Sequence, residues 1–137
     1  MLHIIDHIGI AVKSVDQAKR LFGDVLGLKL NSEESEDEYQ VKLANFQIGD
    51  IEIELLEGTS KGSIISKFVE KKGEGIHHIC FQVDNIQKAL QSLETMGIEL
   101  IDRKPRTIRH GRKVAFLNPQ ATYGILIELV ELPRREE

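Results

Sequence analysis

With 137 residues, 41% hydrophobic and 29% charged, the chain has the length and balance of one globular domain and too much apolar content to stay disordered. A net charge of −4 gives no footing for nucleic acid, and a single cysteine excludes an internal disulfide, in keeping with a cytoplasmic protein. No apolar run reaches the length of a membrane span, and residues 1–20 lack the basic start and apolar core of a signal peptide, so no membrane partner is expected.

Residues 4–12 alternate as a strand, with Ile8, Ile10 and Val12 on one face and His7, Gly9 and Ala11 on the other. Ser14 with Gln17 forms a capping box, and Ala18, Leu21, Phe22, Val25 and Leu26 form a helical stripe that Gly27 ends. Leu28 to Leu30 open a short strand. The acidic run Glu33, Glu34, Glu36, Asp37, Glu38 reads as a solvated loop or hairpin edge. Strands over 40–47 and 51–56 flank a turn at Gly49-Asp50, and the second puts Ile51, Ile53 and Leu55 on one face and Glu52, Glu54 and Leu56 on the other. Ser63 caps a connector helix bearing Ile64, Ile65, Phe68 and Val69, which Gly73 closes.

The pattern then restarts. A strand over 76–83 leads to a helix from Ile86 to Met96, with Ile86, Ala89, Leu90 and Leu93 as its stripe and Gly97 at its end. A strand over 98–102, a basic loop, a strand over 112–118, the turn Pro119 to Gly124 and a strand over 125–131 complete the chain, and the tail 133–137 reads as frayed.

This restart is a duplication. At an offset of 71 residues, Ile5 falls on Ile76, His7 on His78, Ile8 on Ile79, Val12 on Val83, Val15 on Ile86 and Ala18 on Ala89, and at an offset of 74 Ile53-Glu54-Leu55 recurs as Ile127-Glu128-Leu129. The order β-α-β-β-β, twice, predicts an α+β domain spanning 1–137, with modules at about 4–57 and 76–131 joined by a connector helix over about 62–73. Each module brings one His and one Glu. If the modules pack about a pseudo-twofold axis, His7, Glu54, His78 and Glu128 converge, and two imidazoles with two carboxylates suit Zn²⁺, Ni²⁺, Co²⁺, Mn²⁺ or Fe²⁺ with positions left for water or substrate. His77 points to the other strand face and reads as a packing residue. Cys80 shares the face of His78 and reads as a small buried hydrophobe, and Glu38 as part of the solvated edge.

The stretches Asp6-His-Ile-Gly-Ile-Ala-Val12, Ile53-Glu-Leu-Leu-Glu57, Lys67-Phe68, Gly73-Glu-Gly-Ile-His-His-Ile79, Val83-Asp-Asn-Ile86, Lys113-Val-Ala-Phe-Leu117 and Leu126-Ile-Glu-Leu-Val-Glu131 carry a family resemblance. The chain resembles the vicinal oxygen chelate superfamily, which includes glyoxalase I, extradiol dioxygenases, bleomycin-resistance proteins and methylmalonyl-CoA epimerase, and it is most similar to the last of these. The resemblance implies two tandem βαβββ modules around a metal-lined cleft. It also implies His7, Glu54, His78 and Glu128 as metal ligands, a divalent Co, Ni, Mn or Zn ion, and a homodimer. The chain departs from the family in loops that border the substrate there. It has Arg106-Thr-Ile-Arg-His-Gly111 for a glycine-rich run, Asn118-Pro119 for His-Pro, and Tyr123-Gly124 for Gly-Gly.

The implied activity is epimerisation of methylmalonyl-CoA, or a similar acyl-CoA, by removal and return of a proton through a metal-chelated enolate. Glu54 and Glu128 are the catalytic candidates, with Glu38 outside them. Arg106, Arg109 and Asn118 are the substrate-binding candidates. The basic loop either anchors a coenzyme A phosphate or balances the acidic segment. A glyoxalase I-type lactoylglutathione lyase acting on a glutathione adduct, or a non-catalytic small-molecule-binding module, are the alternatives.

Overall fold

The computed structural model describes residues 1–134, so the last part of the expected frayed tail lies outside the described residues. The chain divides into two compact units, one of residues 7–77 and one of residues 1–6 with 78–137.

In the unit of residues 7–77 the strand order is β2-β3-β4-β1: β2 (Lys29–Glu36), β3 (Val41–Ile48), β4 (Ile51–Gly58) and β1 (Ile4–Ala11), which enters the unit at His7. β1 runs parallel to β4, and the other pairs are antiparallel. One sheet face carries Ile10, Ala44, Phe46, Ile53 and Leu55 and is covered by Val15, Ala18 and Phe22 of the first helix. The other face carries Ala11, Val41, Leu43 and Leu56, covered by Ile65, Phe68 and Val69 of α2 (Ile64–Lys72). Ser63 caps α2 by accepting from Ser66 N–H, and Gly73 ends it at φ 84°, as the sequence suggested.

The other unit repeats this plan with β5 (Gly75–Gln82), which enters it at His78, then β8 (Ile127–Glu131), β7 (Lys113–Phe116) and β6 (Arg106–Thr107) in that order. Here α3 (Ile86–Thr95) covers Ala115, Leu117 and Leu129 with Ile86, Ala89 and Leu90. The opposite face carries Cys80, Val114 and Val130, with Ile108 over them. The duplication extends to the helix starts. The carboxylate of Glu57 accepts from Val15 N–H at 2.8 Å, and that of Glu131 accepts from Ile86 N–H at 2.9 Å, each at the positive end of its helix.

Two elements differ from the sequence reading, and a third resolves to one of its two expected forms. The first helix is α-helical only over Val15–Lys19 (α1) and continues as a π-turn over Arg20–Val25. The wider turn seats Phe22 against Phe46 with Gly23 beside the same ring, and a Cβ on Gly23 would stand 3.2 Å from it. As a result Leu21, Val25 and Leu26 leave the expected stripe and are exposed. The acidic run takes the second of its two expected forms, the hairpin edge: Glu33, Glu34 and Glu36 lie in β2 opposite Ala44, Leu43 and Val41 of β3, with Glu33 exposed and Glu34 and Glu36 half-buried. The strand expected at 98–102 shrinks to a single bridge between Leu100 and Leu117. Both Ile101 and Asp102 N–H donate to Phe116 O, a bulge that breaks the ladder, and Pro105 further on has no N–H to offer.

Gly27 and Gly97, equivalent in the repeat, end their helices at φ 80° and 81° with nothing within 4 Å of a built Cβ. Gly97→Ala is therefore expected to cost about 1 kcal/mol, from backbone strain alone. Thermal unfolding should show a fall of about 4 °C. Among the described residues no helix is long and apolar enough to cross a membrane.

Candidate active site

The face of each sheet that its first helix leaves uncovered carries one histidine and one glutamate. In the unit of residues 7–77, the parallel register of β1 with β4 sets Gly9 opposite Glu54, and His7 Nε2 lies 3.7 Å from Glu54 Oε1. In the other unit, the register of β5 with β8 sets Cys80 opposite Glu128, and His78 Nε2 lies 3.4 Å from Glu128 Oε1. Each carboxylate thus stands across from the residue two beyond its histidine, so the duplication reproduces the side-chain geometry as well as the chain path.

All four groups are buried: His7 is 7% exposed, Glu54 8%, His78 5% and Glu128 7%. An ionised carboxylate at that depth needs a cation or strong donors to offset its lost hydration. The nitrogen-to-oxygen separations of 3.4 and 3.7 Å exceed a good hydrogen bond. Imidazole nitrogen and carboxylate oxygen are also the donors that divalent first-row metals accept. On burial, spacing and donor chemistry, each pair fits a metal ligand set.

Three comparisons with known proteins bear on this site. The sequence model of the glyoxalase/bleomycin resistance protein/dioxygenase superfamily matches residues 6–116. The chain belongs to that superfamily. The Bacillus subtilis protein YqjC is 42% identical over 93% of this chain and 91% of its own length. The ethylmalonyl-CoA/methylmalonyl-CoA epimerase of Cereibacter sphaeroides is 31% identical over 96% of this chain and 100% of its own. Among solved structures, a variant of Streptomyces coelicolor methylmalonyl-CoA epimerase in complex with 2-nitronate-propionyl-CoA superposes with a TM-score of 0.91 at 30% identity, covering 100% of this chain and 99% of that one. The fold is therefore the α+β vicinal oxygen chelate fold, and the chain is an enzyme, an isomerase of the epimerase type.

Within this superfamily fold the surroundings of the two His–Glu pairs differ. Asn45 lies opposite Glu54 in the β3–β4 register, is buried, and donates from Nδ2 to Ser32 Oγ at 3.2 Å. Phe116 occupies the equivalent position opposite Glu128, and its ring meets the His78 imidazole edge-on, with centroids 6.0 Å apart. Neither residue stood out in the sequence. The signal available for Asn45 was its place as the polar member of the alternating row Val41, Leu43, Asn45.

A second polar group was also missed. Asp6 accepts from Gln82 Nε2 at 2.8 Å through one carboxylate oxygen and from the Arg112 guanidinium through the other. Burial alone would lower the Arg112 pKa, but the charge and hydrogen bond of Asp6, with the charges of Cys80 and Glu128 added, together hold the guanidinium above its ordinary value.

Arg106 lies in β6 and Arg109 in the 3-10 turn that follows it. Asn118 caps a 3-10 turn by accepting from Gln120 N–H at 2.9 Å, and its Nδ2 donates to Glu99 at 3.2 Å, so its side chain is engaged in local structure. Glu38 is exposed in the turn between β2 and β3. The His77 ring packs edge-on against Phe68, with centroids 4.9 Å apart. Cys80 is fully buried beside Val114 and Val130.

Proposed function

We propose that this isomerase is a metal-dependent epimerase of methylmalonyl-CoA, with His7, Glu54, His78 and Glu128 together holding one divalent ion of Co, Ni, Mn or Zn. The observation that carries the reading is the paired one: two buried His–Glu sets at equivalent strand positions, 3.4 and 3.7 Å across. Relatives that span nearly all of the chain and are named as epimerases of this CoA ester support the substrate. Bound there, a divalent ion supplies a Lewis acid for the charge that develops on the substrate oxygens.

The protein's own residues handle the proton. One of Glu54 and Glu128 takes it from the carbon between the thioester and the carboxylate, and the other returns a proton to the opposite face. Arg106 and Arg109 hold the anionic substrate, and residues 1–137 act as one domain of two modules. The exposed apolar side chains Ile4, Ile5 and Ile76 support assembly as a homodimer. The test is α-proton exchange in D₂O with methylmalonyl-CoA, run beside turnover of the hemithioacetal of methylglyoxal and glutathione. Exchange at the CoA ester is expected, and turnover of the hemithioacetal alone would move the chain to the glyoxalase I type.

A further inference from the structure

The basic loop holds Arg103, Lys104, Arg106, Arg109, Arg112 and Lys113, which the sequence alone offers together as an anchor for nucleotide phosphate. The structure separates Arg106 from the others. Its guanidinium lies 3.4 Å from Asp102 Oδ2 and over the ring of Phe116, with Cζ 6.0 Å from the ring centroid. The same ring meets His78 edge-on at 6.0 Å and 84°, and Phe116 is the strand partner of Glu128. Asp102 Oδ2 also accepts from Phe116 N–H at 2.8 Å, so one carboxylate fixes both the arginine and the ring beneath it. Asp102, Arg106, Phe116 and His78 form one stack, with a cation at one end and a candidate metal ligand at the other.

Resting on the epimerase reading, we propose that Arg106 is a specificity-determining residue that binds the free carboxylate at the acyl end of the substrate. In a coenzyme A thioester the pantetheine arm separates the acyl group from the nucleotide phosphates. A cation one aromatic ring away from His78 belongs with the acyl end. The planar fork of five N–H donors matches a carboxylate, and the Arg106 side chain keeps 41% of its surface exposed while Asp102 and Phe116 fix its direction. Arg106 thereby distinguishes a malonyl-type acyl group from a simple acyl group of the same size, which lacks the anion it pairs with.

The test compares Arg106→Met and Arg106→Lys with the unaltered protein, each first checked for a native circular dichroism spectrum and melting temperature. Equilibrium binding is measured for malonyl-CoA and propionyl-CoA, and exchange for methylmalonyl-CoA and its phosphate-free pantetheine analogue. Arg106→Met should weaken malonyl-CoA by about 10- to 100-fold, the span of a charge-assisted hydrogen bond, and leave propionyl-CoA unchanged. It should lower kcat/KM by the same factor on both methylmalonyl thioesters, and Arg106→Lys should restore part of each loss. Equal weakening of malonyl-CoA and propionyl-CoA, or a loss confined to the full CoA ester, overturns the proposal in favour of a structural or phosphate-binding role. If the unaltered protein exchanges neither thioester, the epimerase reading fails by itself, while the two binding constants still decide the role of Arg106.

Discussion

His78→Ala is expected to lower α-proton exchange in methylmalonyl-CoA by about 100-fold or more, since loss even of a group that supports a metal ligand costs 10- to 100-fold. The change removes a buried imidazole 3.4 Å from Glu128 and the edge contact with Phe116. The apolar core under α3, built from Ile86, Ala89, Leu90, Ala115, Leu117 and Leu129, is untouched. The variant should therefore fold, with a melting temperature within a few degrees of the parent. His77→Ala is the matched control. The two histidines are neighbours, but His77 packs on Phe68 and should keep exchange within a few-fold. Equal losses in both variants would show that damage to β5, not loss of a ligand, explains the effect.

Replacing either glutamate should separate exchange from inversion. Glu54→Gln and Glu128→Gln keep an oxygen donor at each position while removing the base, and general acid–base catalysis contributes about 10²- to 10⁴-fold. If the two carboxylates serve opposite faces of the carbon, each variant loses epimerisation by a factor in that range. Each also keeps solvent exchange, with retention, for one epimer only, and the surviving epimer is opposite in the two variants. Starting from pure (R)- and (S)-methylmalonyl-CoA in D₂O and following both label and configuration distinguishes the cases. One glutamate variant that still epimerises at the parent rate would remove that residue from the proton transfer. The unlike settings of the pair, Asn45 opposite Glu54 and Phe116 opposite Glu128, make unequal losses the expected pattern.

Much of this was legible in the chain because the duplication states it twice. His7 and His78, Glu54 and Glu128, and the glycines that end the first helix of each module all recur at equivalent places in the repeat, so a position ambiguous in one module is read from the other. Strand alternation set His7 apart from Ile8, Ile10 and Val12, and Glu54 apart from Ile51, Ile53 and Leu55, and in the structure Ile10, Val12, Ile53 and Leu55 pack together under the first helix. Legibility failed where the modules diverge. The π-turn over Arg20–Val25 depends on how Phe46, distant in sequence, receives Phe22 and Gly23, and helical periodicity cannot register that. The lost strand at 98–102 depends on Asp102 turning its carboxylate to Phe116 N–H, a contact made across 14 residues. Asp6, Gln82 and Arg112 were invisible as a group for the same reason: their hydrogen bonds span 76 and 106 residues, and their side chains have no equivalents in the other module.

The claim on which the rest depends is that the two His–Glu pairs hold a catalytic metal. The direct measurement is to strip the protein with a chelator, restore Co²⁺, Ni²⁺, Mn²⁺ or Zn²⁺ one at a time, and record bound metal per chain together with exchange into methylmalonyl-CoA. One ion per chain is expected, with exchange that disappears on stripping and returns with metal, and loss of both in His78→Ala. Full exchange in the stripped protein, or metal bound with equal stoichiometry by His78→Ala, would contradict it.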